Sequence, residues 1–200
     1  MLRWFLHSPA WDSVVYWALD LETGGLDLKK DPILAVGMVP IRSGIIHLGE
    51  AYRTLVRPPE GGVIDPRSVR AHQLLWGEVE AAPELAEVLP QVDERIRQGV
   101  LLVHHRSIDV AFLRRDFRRL GRHWPSPWVV DTANLLRRLS HFSRPDLSSD
   151  LVTVNLARAR RDHGLPDYQE HDALTDAVAT AELFLVLRKA LGARTVRDLR

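Results

Sequence analysis

Asp20-Leu21-Glu22-Thr23 places two carboxylates one residue apart, directly after the apolar residues Val14, Val15, Trp17, Ala18 and Leu19. The run is short, rich in β-branched and aromatic residues, and closed by Gly24-Gly25, which predicts a buried strand followed by a turn. Residues two apart on a strand face the same side, so Asp20 and Glu22 would project together from the end of a core strand. Two like charges held that close repel, and a folded chain needs a compensating partner there. A metal ion is one candidate. A solvated strand end is the plainer reading of the pair taken alone.

More carboxylates and histidines stand at predicted strand ends and helix starts. His104, His105 and Asp109 follow the apolar run 100–103, Asp131 closes the run 128–130, and His171 and Asp176 open the last long helix. Ligands of α/β sheets gather beyond the carboxyl ends of parallel strands. Asp20, Glu22, Asp109 and Asp176 are therefore candidates to converge. Singly, each has a simpler role: Asp109, Asp131 and Asp176 as helix caps or dipole partners, His104 as a structural histidine, His171 as a surface histidine.

The elements that must position these residues are legible from periodicity. Residues 33–41 and 44–56 read as two further strands joined at Ser43-Gly44, and Pro58-Pro59 with Gly61-Gly62 as a loop. A short helix is expected over 67–76. Leu85, Val88, Leu89, Val92 and Ile96 set a helix over 84–98 that Pro83 opens and Gly99 ends. Helices are also expected over 107–121, 149–163 and 172–191, with a flexible loop at 140–149. A meander followed by strands alternating with helices predicts one α/β domain over 1–200, its core spanning about 14–192, with a mixed five-stranded sheet flanked by helices.

Bulk properties exclude some classes. The chain has 200 residues, 46% of them hydrophobic, enough for a sizeable core. Its 27 Lys+Arg against 26 Asp+Glu leave a net charge of +1, so only local patches bear on partners. With no cysteine there is neither a disulfide nor a thiolate metal site. Pro9 and Asp12 interrupt the apolar start, against a signal peptide, and no stretch approaches the roughly 20 apolar residues of a membrane span. A soluble, cytoplasmic protein with no membrane partner is expected, its oligomeric state open.

Asp20-x-Glu22-Thr23, then His104 to Asp109, then His171 five residues before Asp176 resembles the DEDD exonucleases, histidine subgroup, a family that includes the epsilon proofreading subunit of bacterial replicative polymerases. The likeness covers about residues 14–190: 33–58 resembles the family's second and third strands, 64–72 its short segment with a histidine, and 130–132 its fourth-motif region. It implies a ribonuclease-H-like fold and 3′→5′ removal of nucleotides with two divalent metal ions. By resemblance, Asp20, Glu22, Asp109 and Asp176 are the metal ligands, Asp20 bridging both ions, and His171 is the general base. Thr23, backbone near Gly24, Leu26, His72 and Ile108 fall where the family meets the terminal nucleotide. A sister subgroup has tyrosine four residues before the last aspartate, where this chain has Asp172.

The chemistry suits those residue types. An all-carboxylate site suits Mg²⁺ or Mn²⁺, two ions about 3.5–4 Å apart clamp an in-line displacement, and imidazoles, titrating near pH 6.5, take protons from water at neutral pH. This chain departs from the family at Gly24 (usually threonine), His105 (usually asparagine) and Ile108 (usually phenylalanine), which bears on substrate rather than on the metal site.

The expected partners are DNA or RNA 3′ ends, single-stranded above all, with a ribonuclease trimming RNA as the second enzyme reading and a non-catalytic binding or polymerase-associated module as the third. A repair or polymerase partner is open. Epsilon subunits carry a polymerase-holding extension where this chain ends shortly after its last helix, favouring a stand-alone or differently tethered nuclease. Arg114, Arg115, Arg118, Arg119 and Arg122 share a helix face, read either as a phosphate-tracking stripe or as an ordinary solvated face. Gln73-Leu74-Leu75-Trp76 faintly resembles a sliding-clamp peptide and reads more simply as a partly buried short helix.

Overall fold

The computed structural model describes residues 8–60, 65, 74, 76–143 and 154–200. Its strands form one mixed sheet: β1 (Tyr16–Thr23), β2 (Ile33–Arg42), β3 (Ile45–Ile46), β4 (Tyr52–Leu55), β5 (Val100–Val103) and β6 (Trp128–Asp131). The order is β3-β2-β1-β5-β6, with β4 also paired to β2. β1 is antiparallel to β2 and parallel to β5, and β5 is parallel to β6. The sheet has six strands rather than the expected five. A 3₁₀ turn at Leu48–Glu50 breaks the expected 44–56 strand into β3 and β4. Gly49 weakens the strand there, and Arg42 holds Glu50 at 2.9 Å.

The described helices are α1 (Trp76–Glu80), α2 (Leu85–Arg97), α3 (Arg106–Arg119), α4 (Thr132–Ser143), α5 (Leu156–Asp162) and α6 (Ala173–Ala190). Pro83 precedes α2 instead of opening it, and its carbonyl accepts from Arg57 N–H at 2.9 Å. The expected 107–121 helix stops at Arg119, leaving Leu120 exposed. Most of the helix expected over 67–76, most of the loop at 140–149, the start of the 149–163 helix, and Gln73 and Leu75 lie outside the described residues.

Both sheet faces are covered, so β1 and β2 read as nearly unbroken apolar runs. Tyr16 and Ala18 of β1 pack with Val39, Ile41, Leu135, Ala177, Ala181 and Phe184 on the α4 and α6 side. Trp17, Leu19 and Leu21 pack with Leu89, Val92, Phe112 and Phe117 on the α2 and α3 side. Val196 and Leu199, in the 3₁₀ turn at Val196–Leu199, join the first cluster. The alternation of β1 then sends Asp20 and Glu22 to the α6 side.

Candidate active site

β1 outruns its parallel neighbour. Pairing with β5 covers Tyr16, Trp17 and Ala18, while pairing with β2 continues to Thr23. Asp20 and Glu22 therefore lie in the C-terminal half of the strand, on a stretch that β5 does not pair. A bulge between Glu22 and Thr23 shifts the register there, a device that re-aims side chains. Opposite Asp20 stands Gly37, where a Cβ would come within 2.1 Å of the Ala173 carbonyl carbon. Its bare backbone lets the N-terminus of α6 lie directly on the sheet, and α6 carries Asp176.

Oxygens of Asp20, Glu22 and Asp176 lie within 4.8 Å of one another. Asp109, 3% exposed in the first turn of α3, lines the same cleft of about 360 Å³ outside that trio. Burial, then the charges of Asp109, Asp176 and Glu22, raise Asp20 well above the usual carboxylate range. Burial, then Asp176 and Asp172, push Glu22 up to about 7. Burial also raises Asp109, against the backbone N–H groups of Asp109 and Leu21. Among the described residues no lysine or arginine pairs with any of the four. Converging hard oxygen donors within 4.8 Å of one another fit divalent cations such as Mg²⁺ or Mn²⁺.

Asp176 is held on both oxygens: Tyr168 O–H donates to Oδ1 at 2.6 Å and His171 N–H to Oδ2 at 2.8 Å. Burial still raises its carboxyl, with these donors opposing. His171 is exposed on the cleft wall with φ 68°, and His105 has φ 70°. Histidine enters this left-handed region more readily than most residues, which suits the backbone at both positions. Asp172 caps α6, accepting from Thr175 N–H at 3.0 Å, and Arg53 of β4 bridges to it at 2.6 Å. Burial opposes ionisation of Asp172, but Thr175 and Arg53 outweigh it and hold its carboxyl below the usual range.

Thr23, Leu26 and Ile108 line the cleft; Gly24 does not, its N–H being bound to Pro32 O at 2.8 Å. His72 lies outside the described residues. His104 is structural: Nε2–H donates to the Val154 carbonyl at 2.6 Å, so Nδ1 accepts from the Thr132 hydroxyl at 2.7 Å. Burial, then His105, push it down to about 4, which keeps it neutral. Asp131 caps two helices at once, accepting from His105 N–H and Arg106 N–H at 3.1 Å and Ala133 N–H at 2.9 Å.

The arginine row of α3 divides. Arg114 and Arg118 are exposed on the helix, and Arg122 is exposed beyond its end rather than on the same helix face. Arg115 is bidentate to buried Asp116 and donates to Asp31 O at 2.6 Å and Leu28 O at 3.2 Å, while Arg119 reaches Lys29 O. Those two hold the turn after Leu26, which is 75% exposed, and are not free for phosphate. Sequence reasoning missed Tyr168, Asn155 and Glu170 in the cleft wall. Asn155 carried a signal, an N-cap type before a helical run, and it accepts from Arg158 N–H at 2.9 Å. Tyr168 carried none.

A mixed sheet of this topology flanked by helices is a ribonuclease-H-like fold. Residues 17–184 match the exonuclease family RNase_T, and the chain belongs to that family. It is 34% identical over 184 residues to a DNA polymerase III subunit epsilon-like protein of Rhodobacter capsulatus, covering 92% of this chain and 25% of that protein. It is 28% identical over 186 residues to a PolC-type DNA polymerase III of Thermotoga petrophila, covering 92% of this chain and 13% of that one. The chain thus spans a quarter or less of these curated relatives. Escherichia coli exonuclease I, in a complex with single-stranded DNA, shares the fold with a TM-score of 0.78 at 17% identity, over 90% of this chain and 42% of that one. Among the described residues no helix is long and apolar enough to cross a membrane.

Proposed function

We propose that this chain is a 3′→5′ exonuclease that hydrolyses the terminal phosphodiester of single-stranded DNA and releases nucleoside 5′-monophosphates with two divalent ions. The observation that carries the reading is the cluster of Asp20, Glu22 and Asp176 oxygens within 4.8 Å, in one cleft with Asp109 and His171. Asp20, Glu22, Asp109 and Asp176 would hold Mg²⁺ or Mn²⁺. Bound, the ions supply Lewis-acid stabilisation of charge building on the phosphate and the leaving oxygen.

The chain's own groups account for the rest. His171 takes a proton from the water as its oxygen bonds to phosphorus. The bond from phosphorus to the 3′ oxygen breaks, leaving a new 3′ hydroxyl once solvent protonates it. Thr23, Leu26 and Ile108 seat the terminal nucleotide. DNA is favoured because the relatives carry DNA polymerase names and exonuclease I was solved with single-stranded DNA; a partnership with a polymerase is the corresponding proposal for partners.

Incubation with 5′-labelled single strands of DNA and of RNA, with Mg²⁺, Mn²⁺ or EDTA, tests the reading. Stepwise 3′ shortening of DNA, lost with EDTA and in Asp20→Ala, is expected. Degradation of RNA alone would replace DNA by RNA as substrate, and no degradation of either would leave a binding module.

A further inference from the structure

We propose that Tyr168 is a positioning residue for Asp176, its hydroxyl fixing the carboxylate that would hold a divalent ion and the buried Arg160 fixing Tyr168 in turn. The inference rests on the two-ion reading above. Carboxylate torsions are soft, so an aspartate on a helix end needs donors to keep one orientation. Tyr168 O–H on Oδ1 and His171 N–H on Oδ2 supply one each, at 2.6 and 2.8 Å. Each oxygen keeps a further lone pair for a cation.

The ring that brings this hydroxyl is itself anchored. Arg160, 2% exposed on α5, donates to Ala179 O at 3.0 Å, to Glu182 at 2.6 Å and to Pro166 O at 3.1 Å. Its guanidinium lies over the Tyr168 ring at 4.8 Å. Ala179 and Glu182 belong to α6, the helix that bears Asp176. The contacts therefore close a circuit from Asp176 through Tyr168 and Arg160 back to the same helix. A ring seated this way places its hydroxyl relative to Asp176 with little freedom. Filling the space alone would take a phenylalanine equally well, so the hydroxyl is the part with a task.

The test is Mn²⁺ titration of the full chain, reading free Mn²⁺ by electron paramagnetic resonance well below the unfolding temperature. Tyr168→Phe keeps the ring on Arg160 and removes only the donor. Its Mn²⁺ affinity is expected to fall about tenfold, the lower end of what losing an outer-shell partner costs, with the metal-free unfolding temperature lowered only by the loss of one hydrogen bond. Equal affinity in the two chains overturns the proposal, as does a lower unfolding temperature with unchanged affinity, which assigns the hydroxyl to folding alone. A wild-type chain that binds no Mn²⁺ overturns the two-ion reading and this inference together.

Discussion

His171 combines an exposed imidazole on an acidic cleft wall with a left-handed backbone and an N–H spent on Asp176. A substitution must therefore respect the backbone before it reports on the ring. Alanine would add strain at φ 68°, whereas asparagine tolerates that region. His171→Asn is expected to lose about 10²–10⁴ in kcat, the usual worth of a general base, with Mn²⁺ affinity and unfolding temperature unchanged. A parallel loss of Mn²⁺ binding in calorimetric titration would instead make the residue part of the ion site. Asp20, Glu22, Asp109, His171 and Asp176 were legible as candidates from type and position, while their proposed roles came from the family resemblance: Asp20 and Glu22 alternate on a strand, Asp109 and Asp176 stand in first helical turns, and His171 precedes a helix cap. Tyr168 was not legible, because its contact with Asp176 depends on a loop path set by buried Arg160, which no local pattern encodes.

Elements position these residues through backbone proximity as much as through side chains. Gly37 sits opposite Asp20, and α6 rests on it. Gly37→Ala must push α6 from the sheet, because the new carbon would lie 2.1 Å from the Ala173 carbonyl carbon. A loss of about 1–3 kcal/mol in urea unfolding is expected from overpacking, together with weaker Mn²⁺ binding as Asp176 moves with the helix. Periodicity gave the strands and long helices within a few residues, since both sheet faces are apolar, α2 is amphipathic and α6 carries a dense apolar run. It did not give the split between β3 and β4, which one 3₁₀ turn decides. Nor did it divide the arginine row, because helical spacing shows a shared face but not a partner. Arg115→Ala would strand the carboxylate of Asp116, whose side chain is 5% exposed and among the described residues keeps only the Arg119 ion pair at 3.7 Å. Destabilisation on the order of 3 kcal/mol is expected, with KM for single strands rising as the turn bearing Leu26 loosens; kinetics at a temperature where the variant is folded check the second part.

For the molecule as a whole, the acidic cluster is a load on folding that protons or cations relieve. Burial, helped by nearby carboxylates, raises Asp20, Asp109 and Asp176, and carries Glu22 from 4.5 to about 7. Between those two values the folded chain binds more protons at Glu22 than the unfolded chain does. The slope of unfolding free energy with pH is then negative: the relative stabilisation is full below the unfolded value and is lost as pH rises through the folded one. Each pH unit of displacement is worth about 1.4 kcal/mol per group, so the effect is large for so small a site. Without divalent ions the unfolding temperature is expected to fall from about pH 4.5 to about pH 7, whereas Glu22→Gln flattens that fall. On the proposed two-ion reading a saturating divalent ion would take the protons' place, and its stabilisation, about 2.7 kcal/mol at a hundredfold excess over Kd, should be greatest at pH 7 and fade toward pH 4.5 as protons compete for the same oxygens. Thermal melts across that range, with Mn²⁺ and with EDTA, read both curves. Two parallel curves would mean that the ion binds somewhere other than these four carboxylates.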